Sequence, residues 1–174
     1  MIDNYEQKGN YYIIADHLRT TIFALADGAI FEPKGRGYIL KKLVKKATLL
    51  GYLLGLNDEQ LQKVSEKLIT VNSSHYNHLR EKEDLIVKEL KNEINKSLDF
   101  INKSTQKLDN NYSPKITAKD IFFWYDTKGI PLELIRFYLK SKHHEFPEKE
   151  FENLLEKQKE KGRSDRIKKK VSVF

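Results

Sequence analysis

Apolar residues recur at helical spacing through most of the chain. In residues 12–26 they fall three or four positions apart, at Ile14, Leu18, Ile22 and Leu25. Such spacing places them on one face of a helix, with polar residues on the other. Comparable stripes follow over residues 38–54 and from Asn57 to about residue 70. No useful length of chain alternates apolar and polar residues as a strand would, so the pattern predicts an all-α bundle of about six to seven helices.

One of the predicted helices is long. From Leu79 to Leu108, apolar residues recur at or near the helical repeat with charged residues between them. This pattern predicts a single helix over about residues 75–108, with Ser73 or Ser74 as its N-cap. Its one modest apolar stripe favours packing along other helices.

Local signals divide the rest of the chain. Asn57 precedes acidic residues and caps a third helix; Thr117 and Asp120 have the spacing of a capping box. Pro131 opens another helix at its first position. The polar stretch 109–116 allows two helical lobes to meet there, within a domain of residues 1–163. Residues 164–174 are expected to form a basic tail or linker.

The charge is concentrated in two segments. The chain has 32 Lys and Arg against 25 Asp and Glu, a formal net charge of +7. Residues 33–57 hold six basic residues and no acid, and residues 157–170 hold eight basic against two acidic. Such stripes are typical of a surface that meets a polyanion, because their contacts with phosphates release counterions. An ordinary solvated surface is the alternative that the sequence leaves open.

Composition excludes several classes of protein. The chain has no Cys, which excludes disulfides and Cys-based zinc sites. The apolar runs are shorter than the roughly 20 residues of a membrane span, and the N-terminus lacks a signal pattern. A cytoplasmic protein with no membrane partner is therefore expected.

Catalytic and metal-binding patterns are weak. His75 and His78 can share a helix face, but nothing beside them completes a ligand set, so no metal site is predicted. Asp16, His17 and Arg19 can be interpreted as acid–base groups or, more simply, as hydrogen-bonded structural residues. Phosphate-loop and nucleophile motifs are missing. No catalytic residue is predicted.

Asp126 follows an aromatic run and precedes a turn at Gly129. The aromatic residues are expected to anchor a helix in a core, which would leave the carboxylate at its end exposed and held in place. The alternative interpretation is that Asp126 accepts hydrogen bonds from the turn amides of Lys128 or Gly129.

Three motifs in order resemble one family. They are IADHLR at 14–19, FALADG at 23–28 and GRGYILKK at 35–42. This series is similar to the segment that follows the catalytic domain in alanyl-tRNA synthetases, and the likeness extends over about residues 11–163. It implies a helical domain that binds the acceptor stem of alanine tRNA and recognises a G·U wobble pair. It also implies that this chain is non-catalytic by itself, with the catalytic domain of the same enzyme as a partner. ATP and Mg²⁺ are expected only in that domain, and no cofactor in this chain.

The resemblance also assigns residues. Asp126 matches the family Asp that contacts the wobble pair, and Pro33 stands at the position of the family's second base-contacting residue, an Asn. The expected contacts to the RNA backbone are Lys34, Arg36, Lys41, Lys42, Lys45 and Lys46. The alternative function is a helical protein-interaction module, in which the long helix and basic tail dock a protein. Strong salt dependence would favour RNA binding.

Overall fold

The fold is all-α, as predicted. The computed structural model describes the backbone of residues 3–171 and the side chains of residues 8–163. Over this part it contains eight helices and no strand. The helices are α1 Asp3–Ala26, α2 Gly35–Leu53, α3 Asp58–Ser73, α4 Asn77–Glu81, α5 Glu83–Asn111, α6 Ala118–Asp126, α7 Leu132–Ser141 and α8 Glu148–Val171. The chain divides between Lys103 and Ser104 into two compact units. None of the described helices combines the length and apolarity needed to cross a membrane.

The first unit is built around α1. The predicted stripe of α1 is confirmed, since Ile14, Leu18, Ile22 and Leu25 are all buried. These residues form one core with apolar residues of α2, α3, α4 and α5, namely Val44, Ala47, Leu50, Leu61, Ile69, Leu79, Ile86, Leu90 and Ile94. Full burial of one such side chain stabilises the fold by about 1.5–3 kcal/mol. The helix itself begins at Asp3, well before the predicted start at Tyr12.

The prediction of a single helix over about residues 75–108 was wrong. Lys82 leaves the helical conformation, with φ −110° and ψ 12°, and separates α4 from α5. Its side-chain ammonium donates to the carbonyl of Ala26, the last residue of α1. Leu79 and Ile86 are both fully buried on either side of this break. The apolar repeat continues through the break, so the spacing of apolar residues does not show where the helix is interrupted. The described part of the chain therefore has eight helices instead of the predicted six to seven.

Ser73 and Ser74 were also wrongly predicted, as N-caps of that helix. Ser73 is the last residue of α3 and Ser74 its C-cap. Their hydroxyls donate back to the carbonyls of Ile69 and Val71, at 2.7 and 3.3 Å. A serine hydroxyl satisfies helix carbonyls as readily as it caps an N-terminus, so the two roles compete for the same residue type.

Both other predicted caps are confirmed. Asn57 accepts from the backbone N–H of Gln60 at 2.8 Å, and the Gln60 side chain accepts from the Asn57 N–H at 2.9 Å. Thr117 and Asp120 form the same reciprocal arrangement at the start of α6. Pro131 was predicted to be the first residue of its helix; it is instead the N-cap of α7, which begins at Leu132.

The second unit has an aromatic core around Phe151 of α8, which is 2% exposed. The rings of Phe122 and Tyr125 on α6 lie 6.0 and 5.7 Å from its ring. Nearby on α7, the Tyr138 hydroxyl donates to Asp109 at 2.8 Å, and burial together with this hydrogen bond raises the Tyr138 pKa. The α8 helix continues through much of the predicted tail, as far as Val171. Side chains beyond residue 163 lie outside the described residues, so the domain division there stays a prediction.

We expect Thr117→Ala to destabilise the second unit by about 0.5–2 kcal/mol. The Thr117 hydroxyl donates to the Asp120 carboxylate at 2.6 Å and holds the pKa of Asp120 below its usual range. A lowered folded-state pKa stabilises the protein above the ordinary carboxyl pKa, and this contribution is lost as pH falls through the lowered value. In the variant, the Asp120 pKa should rise toward normal. Urea unfolding and NMR titration measure both effects, with Thr20→Ala, an exposed position inside α1, as the control.

Candidate nucleic-acid interface

The loop before α2 lies directly against the first turn of that helix. Gly28 lies two residues after the end of α1 and turns the chain with a φ of 93°. Gly37 is buried, and a Cβ there would collide with the Ile30 carbonyl oxygen and lie 2.6 Å from the Glu32 backbone nitrogen. Only glycine permits this approach, so Gly37 sets where the loop carrying Glu32, Pro33 and Lys34 runs.

Gly37→Ala should destabilise the chain by about 1–3 kcal/mol, because the added methyl group has to displace backbone. Gly9→Ala is the matched control, since a Cβ at Gly9 meets nothing within 4 Å and Gly9 lies inside α1. The control should be neutral or slightly stabilising. Urea denaturation of both variants is the measurement, and equal stabilities would show that the loop moves aside freely.

Six cations cluster on α2 and the residue before it. We call them the α2 cations: Lys34, Arg36, Lys41, Lys42, Lys45 and Lys46. Four of them are exposed, while Lys41 and Lys46 are half-buried. They leave the buried face of the helix to residues such as Leu40, Val44 and Ala47. The structure therefore places the whole set that the sequence predicted for the RNA backbone on α2 or the residue before it, outside the buried face of the helix.

Most of this charge has no acidic partner. Among the described residues, no carboxylate lies within ion-pair distance of Lys34, Arg36, Lys41, Lys42 or Lys45. The Lys42 ammonium lies 4.6 Å from the centre of the Tyr38 ring, one turn earlier on the helix. No acidic residue lies in the first turn of α2. The positive end of the helix dipole therefore adds to the positive potential of the side chains.

Asp126 is the last residue of α6 and is exposed, as predicted for its position. Buried Ile121 and Trp124 anchor the helix, and Gly129 turns the chain after it with φ 65°. The Lys128 amide, one of the two turn donors considered for Asp126, instead donates to the Phe123 carbonyl. Oδ1 of Asp126 accepts a hydrogen bond from Nε2 of Gln158 on α8.

Gln158 is the residue that sequence reasoning missed. It follows Phe151 by seven positions, which is two helical turns, so both lie on the same side of α8. Because Phe151 packs against α6, this spacing carries Gln158 along α6 toward its last residue. The sequence signal for Gln158 is its spacing of seven residues from Phe151. That spacing predicts the contact with Asp126 only when Phe151 is known to pack against α6.

Pro33 lies in an exposed bend of the first unit, whereas Asp126 belongs to the second. The proline side chain has neither a donor nor an acceptor. This position therefore offers no side-chain hydrogen bond to a ligand.

The candidate acid–base and metal-binding residues make local contacts within the first unit. Asp16 pairs with Arg19 at 3.3 Å and lies 3.9 Å from His17. His78 lies 3.5 Å from Asp27, and its ring meets those of Phe23 and Tyr76, while His75 is exposed. Within the part of the chain that the structure describes, no three His, Asp or Glu side chains are grouped to hold a metal ion.

Comparison with known proteins agrees with the likeness to alanyl-tRNA synthetases. The chain matches the family described as tRNA synthetases class II (A) over residues 2–173. An alanine–tRNA ligase of Campylobacter jejuni is 30% identical over 167 residues, which are 92% of this chain and 19% of the relative. The ligase of Clostridioides difficile is 35% identical over 161 residues, 88% of the chain and 18% of the relative. That of Pediococcus pentosaceus is 33% identical over 171 residues.

The chain thus spans about a fifth of the length of these curated relatives. The family match, by contrast, covers almost every residue of the chain. On that match, the chain belongs to the class II (A) tRNA synthetases.

Proposed function

We propose that this chain is the part of an alanine–tRNA ligase that binds the acceptor stem of alanine tRNA. It carries no catalysis by itself. The catalytic domain of the same ligase, with its ATP and Mg²⁺, is its partner. The proposal is supported by the similarity to alanine–tRNA ligases and by the motifs that resemble the tRNA-binding segment of that family.

The observation that carries the proposal is the set of α2 cations. At least five of them lack an acidic partner among the described residues. Ammonium and guanidinium groups left in this state form charge-assisted hydrogen bonds with phosphate oxygens. Lysine supplies most of the charge here, so these contacts position the RNA without the two-pronged geometry that arginine provides.

Base recognition is assigned to Asp126. An ionised carboxylate is an acceptor only, so it can take the exocyclic amine of guanine in a G·U pair. Because Pro33 replaces the family's Asn, Asp126 is the one side chain of that pair able to hydrogen-bond a base. In this division of roles, the α2 cations supply affinity and Asp126 supplies sequence preference.

The test is a salt titration of the 174-residue chain with an RNA duplex that carries the alanine acceptor stem. Contacts with several phosphates should make log Kd rise linearly with log salt, by about one unit of slope per phosphate contact. A protein-docking module would bind its partner through apolar contacts, whose affinity depends little on salt. No binding at low salt, or binding with a flat salt dependence, would contradict the proposal.

A further inference from the structure

We propose that Gln158 is a positioning residue for Asp126, holding one carboxylate oxygen so that the other faces the base pair. This inference rests on the proposed function, because it concerns the same base-recognising carboxylate. Nothing in the comparisons or the motif resemblance gives Gln158 a role.

The first observation is the hydrogen bond itself. Nε2 of Gln158 donates to Oδ1 of Asp126, across 32 positions of sequence. Both residues are exposed. An exposed carboxylate usually samples several rotamers, and a hydrogen bond from a neighbouring helix restricts that freedom before any ligand arrives.

The second observation is the packing of the two helices that carry these residues. Behind Asp126, Trp124 and Ile121 of α6 are buried. On α8, Phe151 is buried against the rings of Phe122 and Tyr125, two helical turns before Gln158. The helices α6 and α8, which carry the acceptor and the donor, therefore pack against each other. A binding group supported in this way loses less conformational entropy when it engages RNA.

The third observation is chemical. Lys157 and Lys159 flank Gln158 in the sequence, but the group that meets Asp126 is a neutral amide. A lysine there would pair with the carboxylate and cancel its charge. An amide leaves the negative charge intact, and an ionised carboxylate has about four acceptor sites. One is used by Gln158, and those of Oδ2 stay available for a guanine amine.

The decisive variant is Gln158→Met, which keeps the length of the side chain and removes the donor. We expect the ratio of affinities for a G·U and a G·C acceptor stem to fall about fivefold, as for the loss of one hydrogen bond. The salt slope should not change, because Gln158 carries no charge. Gln106→Met, at an exposed position of α5 in the same unit, is the control and should leave the ratio unchanged. Thermal unfolding of each variant establishes that the fold is intact.

A double-mutant cycle separates positioning from direct contact. If Gln158 acts through Asp126, then Gln158→Met should cause no further loss of preference when Asp126→Asn is already present. A loss that persists in that background would mean that Gln158 contacts the RNA itself, and would overturn the inference.

The same data distinguish failure of the inference from failure of the proposed function. A full preference in Gln158→Met, together with a lost preference in Asp126→Asn, would overturn the role of Gln158 alone. An unchanged preference in both variants would contradict base recognition by Asp126 and therefore also the role of Gln158. The proposed function fails separately if the unmodified chain shows no salt-dependent binding to the RNA.

Discussion

Asp126→Asn abolishes most of the preference for a G·U stem over a G·C stem, by an expected 1–3 kcal/mol, on the order found for one base-edge contact. The physical reason is specific to this site. Gln158 donates to one oxygen of Asp126. An asparagine amide has a single oxygen, and if Gln158 takes it, the NH₂ group faces the guanine amine. Two donors then meet, and the charge that strengthened the original bond is gone.

Paired titrations against the two stems at one salt concentration measure this effect. Glu152→Gln, an exposed position on α8, removes the same charge elsewhere in the second unit and should keep the preference. The salt slope of Asp126→Asn should match that of the unmodified chain, because the carboxylate touches no phosphate. A changed slope with an unchanged preference would contradict the assignment of Asp126 to a base.

Pro33→Asn tests the other half of the pair. Restoring the residue that the resemblance assigns to this position should raise the preference for the G·U stem, since an amide can donate to and accept from a base edge. Pro33 lies in an exposed bend, so the added side chain meets no core. Titration with the same two stems is the measurement, and a preference no larger than that of the unmodified chain would mean that this position does not reach the bases.

Replacing Lys41 and Lys45 together by alanine weakens binding to any acceptor-stem duplex and lowers the log–log salt slope by about two units. These two lysines lie one turn apart on α2, and neither has an acidic partner among the described residues. Their loss removes phosphate contacts but no base contact, so the ratio between G·U and G·C stems should stay the same.

The matched control is Lys63→Ala with Lys67→Ala on α3. This pair has the same spacing and the same change of charge in the same unit, and Lys63 is already paired with Glu59 at 2.8 Å. The control should bind with nearly the slope of the unmodified chain. If the two double variants lose slope equally, the α2 cations are an ordinary solvated surface and the effect is one of total charge.

The amount of structure that the sequence predicted depended on the range of the interactions involved. The stripe of α1 and the capping boxes of Asn57 and Thr117 are local patterns, and all three are confirmed. The break at Lys82 is different, because it is tied to the Ala26 carbonyl, 56 positions away. The residues on both sides of it are buried in the same core, so periodicity alone predicts one continuous helix.

The candidate site follows the same division. The α2 cations are close in sequence, and helical spacing is enough to place them together. Asp126 was predicted to be exposed at a helix end because an aromatic run precedes it and Gly129 follows it. Its partner Gln158 was not predicted, since that contact depends on how α8 packs against α6. The aromatic side chain of Phe151 predicts that this position is buried, but it does not predict which helix it packs against.

The most direct test of the account is the affinity of the unmodified 174-residue chain for two acceptor-stem duplexes that differ only in one pair, G·U or G·C. Fluorescence anisotropy at a single salt concentration gives both dissociation constants. With Asp126 positioned by Gln158, the account predicts tighter binding of the G·U stem by at least about fivefold, the ratio that corresponds to roughly 1 kcal/mol for one base contact. Equal affinities for the two stems would contradict recognition of the wobble pair by this chain.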